Sequence, residues 1–340
     1  MSGAPDEADM HKAGQLSSDP KAGTKTVAAQ VPRVLNLSEL LSSSRKRLFA
    51  KETTDVCTTG HYRLDQITGG IRAGYTWLIG ADTSFGKSSW LIAVCDINID
   101  LGKRVLIVSS EDSEELYGDR LMVRRANVNA LRFRDKAPTK DEEDRIIKAE
   151  QQAKPIPVYV DARRWPIEEL IPHLRTIIKE QKIDVVAFDY VQEFKTKTRY
   201  QDERIKFREI ASSMRHLAKD AKIAAVIFSQ LTLSENTTIP TRANIRECKD
   251  MANGSEVILI GFETKKLLDV PGKQAIPAGT KCFLVDKCKN GPRGAKLPMD
   301  WDADVATFKR VEVPERRTAP AAGGQFDDFG DEPDDWRGGR

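Results

Sequence analysis

GADTSFGKSSW, residues 80–90, is the stretch from which the rest of the chain can be read. The apolar run before it, YTWLI at 75–79, reads as a buried strand. SSWLIAVCDINIDL after it, residues 88–101, is long and apolar enough to be a helix. A strand, a loop ending in Gly-Lys-Ser and a helix make a phosphate cradle. Unpaired N–H groups at the helix start point at the anion, and the helix dipole favours negative charge there. The loop running through Ala81, Asp82, Thr83, Ser84, Phe85, Gly86, Lys87, Ser88 and Ser89 is therefore expected to hold a nucleotide. In this pattern Lys87 reaches the β and γ phosphates and the Ser88 hydroxyl holds Mg²⁺. The strict pattern has Gly where this chain has Ala81, a mild departure, since Ala fits any loop position with negative φ.

Composition bounds what such a loop can belong to. With 340 residues, 40% of them hydrophobic, the chain has material for one large α/β core with tails or two modest ones. No run approaches the roughly 18 apolar residues of a membrane span. The start, MSGAPDEADMHK, is acidic and lacks an apolar segment, so neither a secretory signal nor a transit peptide is expected, and the reading is cytoplasmic. Five cysteines (Cys57, Cys95, Cys248, Cys282 and Cys288) lack CxxC spacing and His support, which argues reduced thiols and against zinc. Net charge is only +3, but the last fifteen residues hold six acids against Arg337 and Arg340, a net −4. A body of +7 remains that is able to meet a polyanion.

Residues 1–34 are poor in large apolar side chains and are expected to be disordered. Residues 35–54 form a linker whose leucines, Leu35, Leu37, Leu40, Leu41 and Leu48, have partly helical spacing. So short a helix gains stability only by packing on a neighbour. Residues 55–312 then alternate strand and helix. Strands are predicted at 75–79, 104–109, 157–160, 184–190, 224–229, 256–262 and 281–285. Helices are predicted at 88–101, 114–125, 141–153, 166–181 and 200–221. This alternation argues an α/β fold with a mostly parallel twisted sheet flanked by helices. Residues 313–340 read as a disordered acidic tail.

In such sheets ligands bind beyond the carboxyl ends of the strands. Here those ends carry Lys87, Glu111, Asp189 and Gln230. Any one of them alone is more often a solvated loop cap, but four at successive strand ends make a pattern. Asp189 is suited to orient the Mg²⁺ shell opposite Ser88, Glu111 to activate the attacking water, and Gln230 to contact the γ-phosphate.

TTGHYRLDQITGGIRAG, ADTSFGKSSWLIA, VLIVSSED, DVVAFDYVQEF, IRECKDMANGSEVILIGF and KCKNGPRG follow one another in the order seen in the RecA-like motor domain of DnaB-family replicative helicases. The chain resembles that family over about residues 55–312. The resemblance implies a RecA-like P-loop ATPase and a hexameric ring on one DNA strand, with MgATP hydrolysed between subunits. It gives Glu111 the catalytic carboxylate, Asp189 the Mg²⁺-shell acid and Gln230 the coupling to DNA. It also implies DNA-facing loops around Lys195, Lys197 and Arg199 and around Arg246, Glu247 and Lys249, with Lys249 standing where the family has Gly. Lys287 matches a cation lent to the neighbouring subunit, whereas Lys289 replaces the family's arginine finger, with Arg293 as a substitute. No helical N-terminal collar and no primase domain are expected, so ring assembly would rest on the motor domain and the linker helix. The acidic, aromatic tail resembles the tips that replication proteins use to dock partners or to compete with DNA for a basic groove, and a plain solubilising tail stays open beside that reading. Two rival readings stay open: a RecA-like recombinase or recombination mediator, and a weakly active accessory or loader ATPase.

Overall fold

The computed structural model describes residues 37–49, 56–135, 138–153, 158–234, 237–245, 249–270 and 274–312. Both expected tails, 1–34 and 313–340, therefore lie outside the described residues. So do Arg246 and Glu247. The chain divides into a unit ending at Glu52 and a unit from Thr53 onward. In the first, helix α1 is Leu37–Phe49, close to the predicted 35–48, with Leu37 and Leu41 exposed one turn apart.

The second unit opens with a small hairpin, β1 (Val56–Cys57) against β2 (Ile71–Arg72), around helix α2 (Tyr62–Thr68). Then come β3 (Thr76–Ala81), α3 (Lys87–Asp100), β4 (Val105–Ser109), α4 (Glu114–Ala126), α5 (Ala130–Asp135), α6 (Lys140–Gln152) and β5 (Val158–Asp161). They are followed by α7 (Ile167–Gln181), β6 (Val185–Asp189), α8 (Glu203–Ala221), β7 (Ala224–Gln230), α9 (Lys249–Gly254) and β8 (Val257–Glu263). The last elements are β9 (Lys281–Cys288), β10 (Lys296–Pro298), and a hairpin of β11 (Trp301–Asp302) and β12 (Thr307–Phe308).

Eight strands form one sheet in the order β10-β9-β8-β3-β7-β6-β4-β5. From β8 to β5 all neighbours run parallel, with β3 central between β7 and β8. β9 and β10 join antiparallel, because they follow β8 without a crossover helix among the described residues. Strand side chains alternate between two cores. Trp77 and Ile79 pack with α3 on one face, while Leu78 packs with α7 and α8 on the other. Both faces are covered, which is why the strands read as continuous apolar runs rather than alternating ones. On α7, Ile167, Leu170, Leu174 and Ile178 are buried along one face, with Ile171 half-buried beside them.

α3 is buried from Trp90 to Ile99, polar residues included. Asp96 meets the Arg124 and Arg125 guanidiniums, and Asn98 exchanges hydrogen bonds with the Thr58 backbone at 2.8 and 3.0 Å. A helix sealed on all sides by its own domain holds its N-terminus at a fixed point beyond β3. α8 starts at Glu203 rather than at 200 because the Asp202 carboxylate accepts from the Arg204 N–H (2.8 Å) and caps it there.

Candidate functional site

β3 ends at Ala81, and the chain turns through Asp82 and the short 3₁₀ turn Thr83–Phe85 into α3. The Asp82 carboxylate accepts from the Thr83 N–H (2.7 Å), and the Phe85 N–H donates to the Asp82 carbonyl (3.2 Å). Gly86 adopts φ 93°, the left-handed region, where a Cβ would also meet the Trp301 ring at 3.3 Å. Beneath the loop, the Phe85 ring is buried against Phe283 and Phe308, with centroids 5.0 and 5.6 Å away. Gly261 on β8 makes room for it, since a Cβ there would stand 2.7 Å from that ring. The shape of the loop is thus set from below by β8, β9 and β12.

Above it, the first N–H groups of α3 have no acceptor inside the helix, and the positive end of the dipole adds to them. The buried Lys87 ammonium donates to the carbonyls of Ala81 and Asp82, both at 3.1 Å. Burial pulls its pKa down, while Asp189, Asp82 and Glu111 pull the other way. Such a cation gains from any anion brought to the loop.

From the end of β6, Asp189 faces Ser88, whose Oγ donates to the carboxylate Oδ2 at 2.8 Å. The Tyr117 hydroxyl, from α4, donates to the same oxygen at 2.8 Å. Burial pushes the Asp189 carboxyl above its usual range and the Asp112 charge adds to this, against the two hydroxyl bonds and Lys87. A hydroxyl and a buried carboxylate side by side are hard oxygen donors, which fit a small divalent cation. Among the described residues no three His, Cys, Asp or Glu side chains gather into a metal cage.

Glu111 follows β4 and is exposed, its carboxyl pushed up by partial burial and by the charges of Asp112 and Asp189. Gln230 ends β7. Its N–H donates to the Gln192 side chain at 3.3 Å, and the Gln192 amide also donates to the Ser229 hydroxyl at 2.8 Å. Lys87, Ser88, Glu111, Asp189 and Gln230 therefore share the carboxyl edge of the sheet, as their places in the sequence anticipate. Tyr117, Gln192 and Lys281 were not anticipated. Tyr117 and Lys281 carry no local sequence signal, because the partners of each lie far away along the chain. Next to the loop, a cavity of about 420 Å³ is lined by Ser89, Ile92, Leu116, Val123 and Val305, with Arg120 at its wall.

Lys287 and Lys289 lie elsewhere. β9 runs antiparallel to β8, so Lys287 pairs with Ile258 and the Lys289 N–H donates to the Glu256 carbonyl (2.9 Å), at the amino end of β3. At ~3.3 Å per residue, Lys289 is roughly 16 Å along the strands from the level of Ala81. The Lys287 ammonium donates to the carbonyls of Ala252 and Asn253 at 3.0 and 2.9 Å, and that of Lys289 stands 3.9 Å from Glu256. Neither reaches the phosphate loop of its own chain.

The segment with Lys195, Lys197 and Arg199 is pinned to the start of α7. The Lys195 carbonyl accepts from Ile167 (2.8 Å), and the Glu168 carboxylate accepts the N–H groups of Lys197 (2.9 Å) and Thr198 (3.3 Å). All three cationic residues are exposed, with Lys197 paired to Glu169. Lys249 opens α9.

Comparison with known proteins bears on the family and the fold. Residues 57–310 match the family model of the DnaB-like helicase C terminal domain. "Replicative DNA helicase DnaB" of Mycoplasma pneumoniae is 25% identical over 268 residues, covering 74% of this chain and 56% of that protein. The protein of the same name from Treponema pallidum is 26% identical over 253 residues, covering 74% and 55%. The chain thus spans about half the length of these curated relatives. Among solved structures, "The Structure Of A DnaB-Like Replicative Helicase And Its Interactions With Primase" superposes with a TM-score of 0.71 at 16% identity, covering 82% of this chain and 69% of that one. With three quarters of its length matched by the family model and its sheet built as in that structure, the chain belongs to the DnaB-like helicase C-terminal domain family.

Proposed function

We propose that this protein hydrolyses MgATP and uses the energy to move along single-stranded DNA as a ring, hexameric in its working form, and so to unwind duplex during replication. The observation that carries the reading is the Ser88–Asp189 contact at 2.8 Å, beside Lys87 at the start of α3 and with Glu111 at the next strand end. In this reading the N–H groups of α3 and the Lys87 ammonium bind the β and γ phosphates. The base and ribose lie toward the apolar cavity beyond Ser89. Ser88 and Asp189 would hold Mg²⁺, which supplies charge neutralisation on the phosphate oxygens. Glu111 takes the proton of the attacking water, and Gln230 lines the γ-phosphate side of the site. DNA phosphates are gripped by Lys195, Lys197 and Arg199 and by the loop containing Arg246, Glu247 and Lys249, with little base preference.

Because Lys287 and Lys289 sit at the amino end of the strands, away from their own loop, their role toward nucleotide belongs to an adjacent copy. Lys289 offers the charge of a finger without the bidentate fork, and full fingers are worth ~10³–10⁵ in rate. Lys289→Arg is therefore expected to raise the DNA-stimulated hydrolysis rate by about tenfold or more, read by steady-state phosphate release. An unchanged rate would assign that role to the exposed Arg293 instead. A wild-type rate near background with tight DNA binding would favour the accessory-ATPase reading, which the Lys289 departure motivates. Among the described residues no helix is long and apolar enough to cross a membrane.

The decisive experiment combines unwinding of a forked duplex with mass measurement of the assembly in MgATP. ATP-dependent strand separation by a closed ring supports the proposal. A protein that stays monomeric with MgATP and a DNA strand, and releases no phosphate, overturns it.

A further inference from the structure

Lys281 opens β9 directly beneath the phosphate loop and is buried. Its ammonium donates to the carbonyls of Ser84 and Phe85, both at 2.8 Å. It also lies 4.6 Å from the centroid of the Trp301 ring and 5.5 Å from that of Phe85. Among the described residues no carboxylate lies within ion-pair distance of it, although Glu263, its neighbour across β8, acts on it from farther away, so a buried ammonium held by two carbonyls and two ring faces is a costly arrangement. An aliphatic side chain of the same length would fill that space at lower cost.

The geometry points to what is gained. In a planar trans peptide the carbonyl and the following N–H point in opposite directions. Drawing the Phe85 carbonyl down toward Lys281 therefore turns the Gly86 N–H upward, to the side where α3 begins. Holding the Ser84 carbonyl down as well keeps a second negative dipole end out of the cradle, where it would repel an anion. Gly86, at φ 93°, has the freedom to be misdirected, so the aim of its N–H must come from its neighbours.

We propose that Lys281 is a positioning residue for the phosphate loop, fixing the Ser84 and Phe85 carbonyls from below so that the Gly86 N–H faces the triphosphate above and neither carbonyl intrudes on it. This rests on the nucleotide reading of the same loop and adds a residue that never touches the nucleotide. It acts on the nucleotide's phosphates and leaves the base alone.

The test is Lys281→Met in the full chain, measured in three ways. Melting without nucleotide is expected to be unchanged or higher, because a buried charge is replaced by an apolar chain of similar length. The KM for ATP is expected to rise about tenfold with kcat within about twofold, since ~1.4 kcal/mol is a modest loss for a hydrogen bond made by a charged donor. Titration with inorganic triphosphate, which has no base, is expected to weaken by the same factor. A residue that merely fills space would leave both affinities alone whatever the melt does, and that result overturns the proposal. If Lys281→Met has no melting transition, Lys281→Gln, which keeps an N–H donor without the charge, takes its place. A KM raised threefold or more then supports the proposal, and an unchanged KM overturns it. Failure of the wild-type protein to bind ATP would sink the nucleotide reading itself and is seen before any variant is compared.

Discussion

Lys87→Ala is expected to weaken MgATP binding by roughly 10²-fold or more while the protein stays folded. The loss follows from removing one member of a desolvated charge pair, which typically costs ~2–5 kcal/mol. Folding should not suffer in step. Among the described residues the ammonium is bonded to the carbonyls of Ala81 and Asp82, and burial pulls its pKa down, which marks the cost of burying it. Calorimetric titration with MgATP and a thermal melt without nucleotide separate the two effects. Retained affinity would mean that Lys87 serves the loop's fold and that the phosphates are held by N–H groups alone.

Glu111→Gln should do the opposite. Binding is expected to stay within about threefold of wild type, because no bond between Glu111 and the loop helps shape the cradle. Turnover should fall by ~10²–10⁴, the usual worth of a positioned general base. The pH profile adds a second reading. A base works only when ionised, and the Glu111 carboxyl is raised above its ordinary value of 4.5 by burial and by Asp112 and Asp189. Activity should therefore be lost as pH falls through a midpoint above 4.5, and the Gln variant should lose that acid limb. A variant with weakened binding and an unchanged limb would make Glu111 a structural residue.

Most of the architecture was legible because the strands are buried on both faces. Runs such as VLIVS and VVAFD have no other use in a chain this polar, and their ends named Glu111 and Asp189 directly. The loop was legible because its chemistry demands Gly-Lys-Ser at the start of a helix. What stayed hidden depends on contacts between elements far apart in sequence. Tyr117 reaches Asp189 across 72 positions, and Lys281 reaches Ser84 across 197. Neither has a local pattern to betray it. The antiparallel turn of β9 and β10 was also not readable in detail, since a short apolar strand has the same composition in either direction. The largest shift of a helix end, three residues, is at the start of α8, where the Asp202 cap sets the first turn.

The indole of Trp301 gives this protein a built-in optical gauge. Of five tryptophans, Trp77 and Trp90 are sealed in the core, where their emission is blue-shifted and steady, and Trp336 is outside the described residues. Trp165 belongs to the opposite end of the sheet, stacked on His173. Trp301 alone among the described tryptophans leans on Gly86 and on the Lys281 ammonium, so a nucleotide entering the loop is expected to change its emission, which a titration with MgATP reads without a dye.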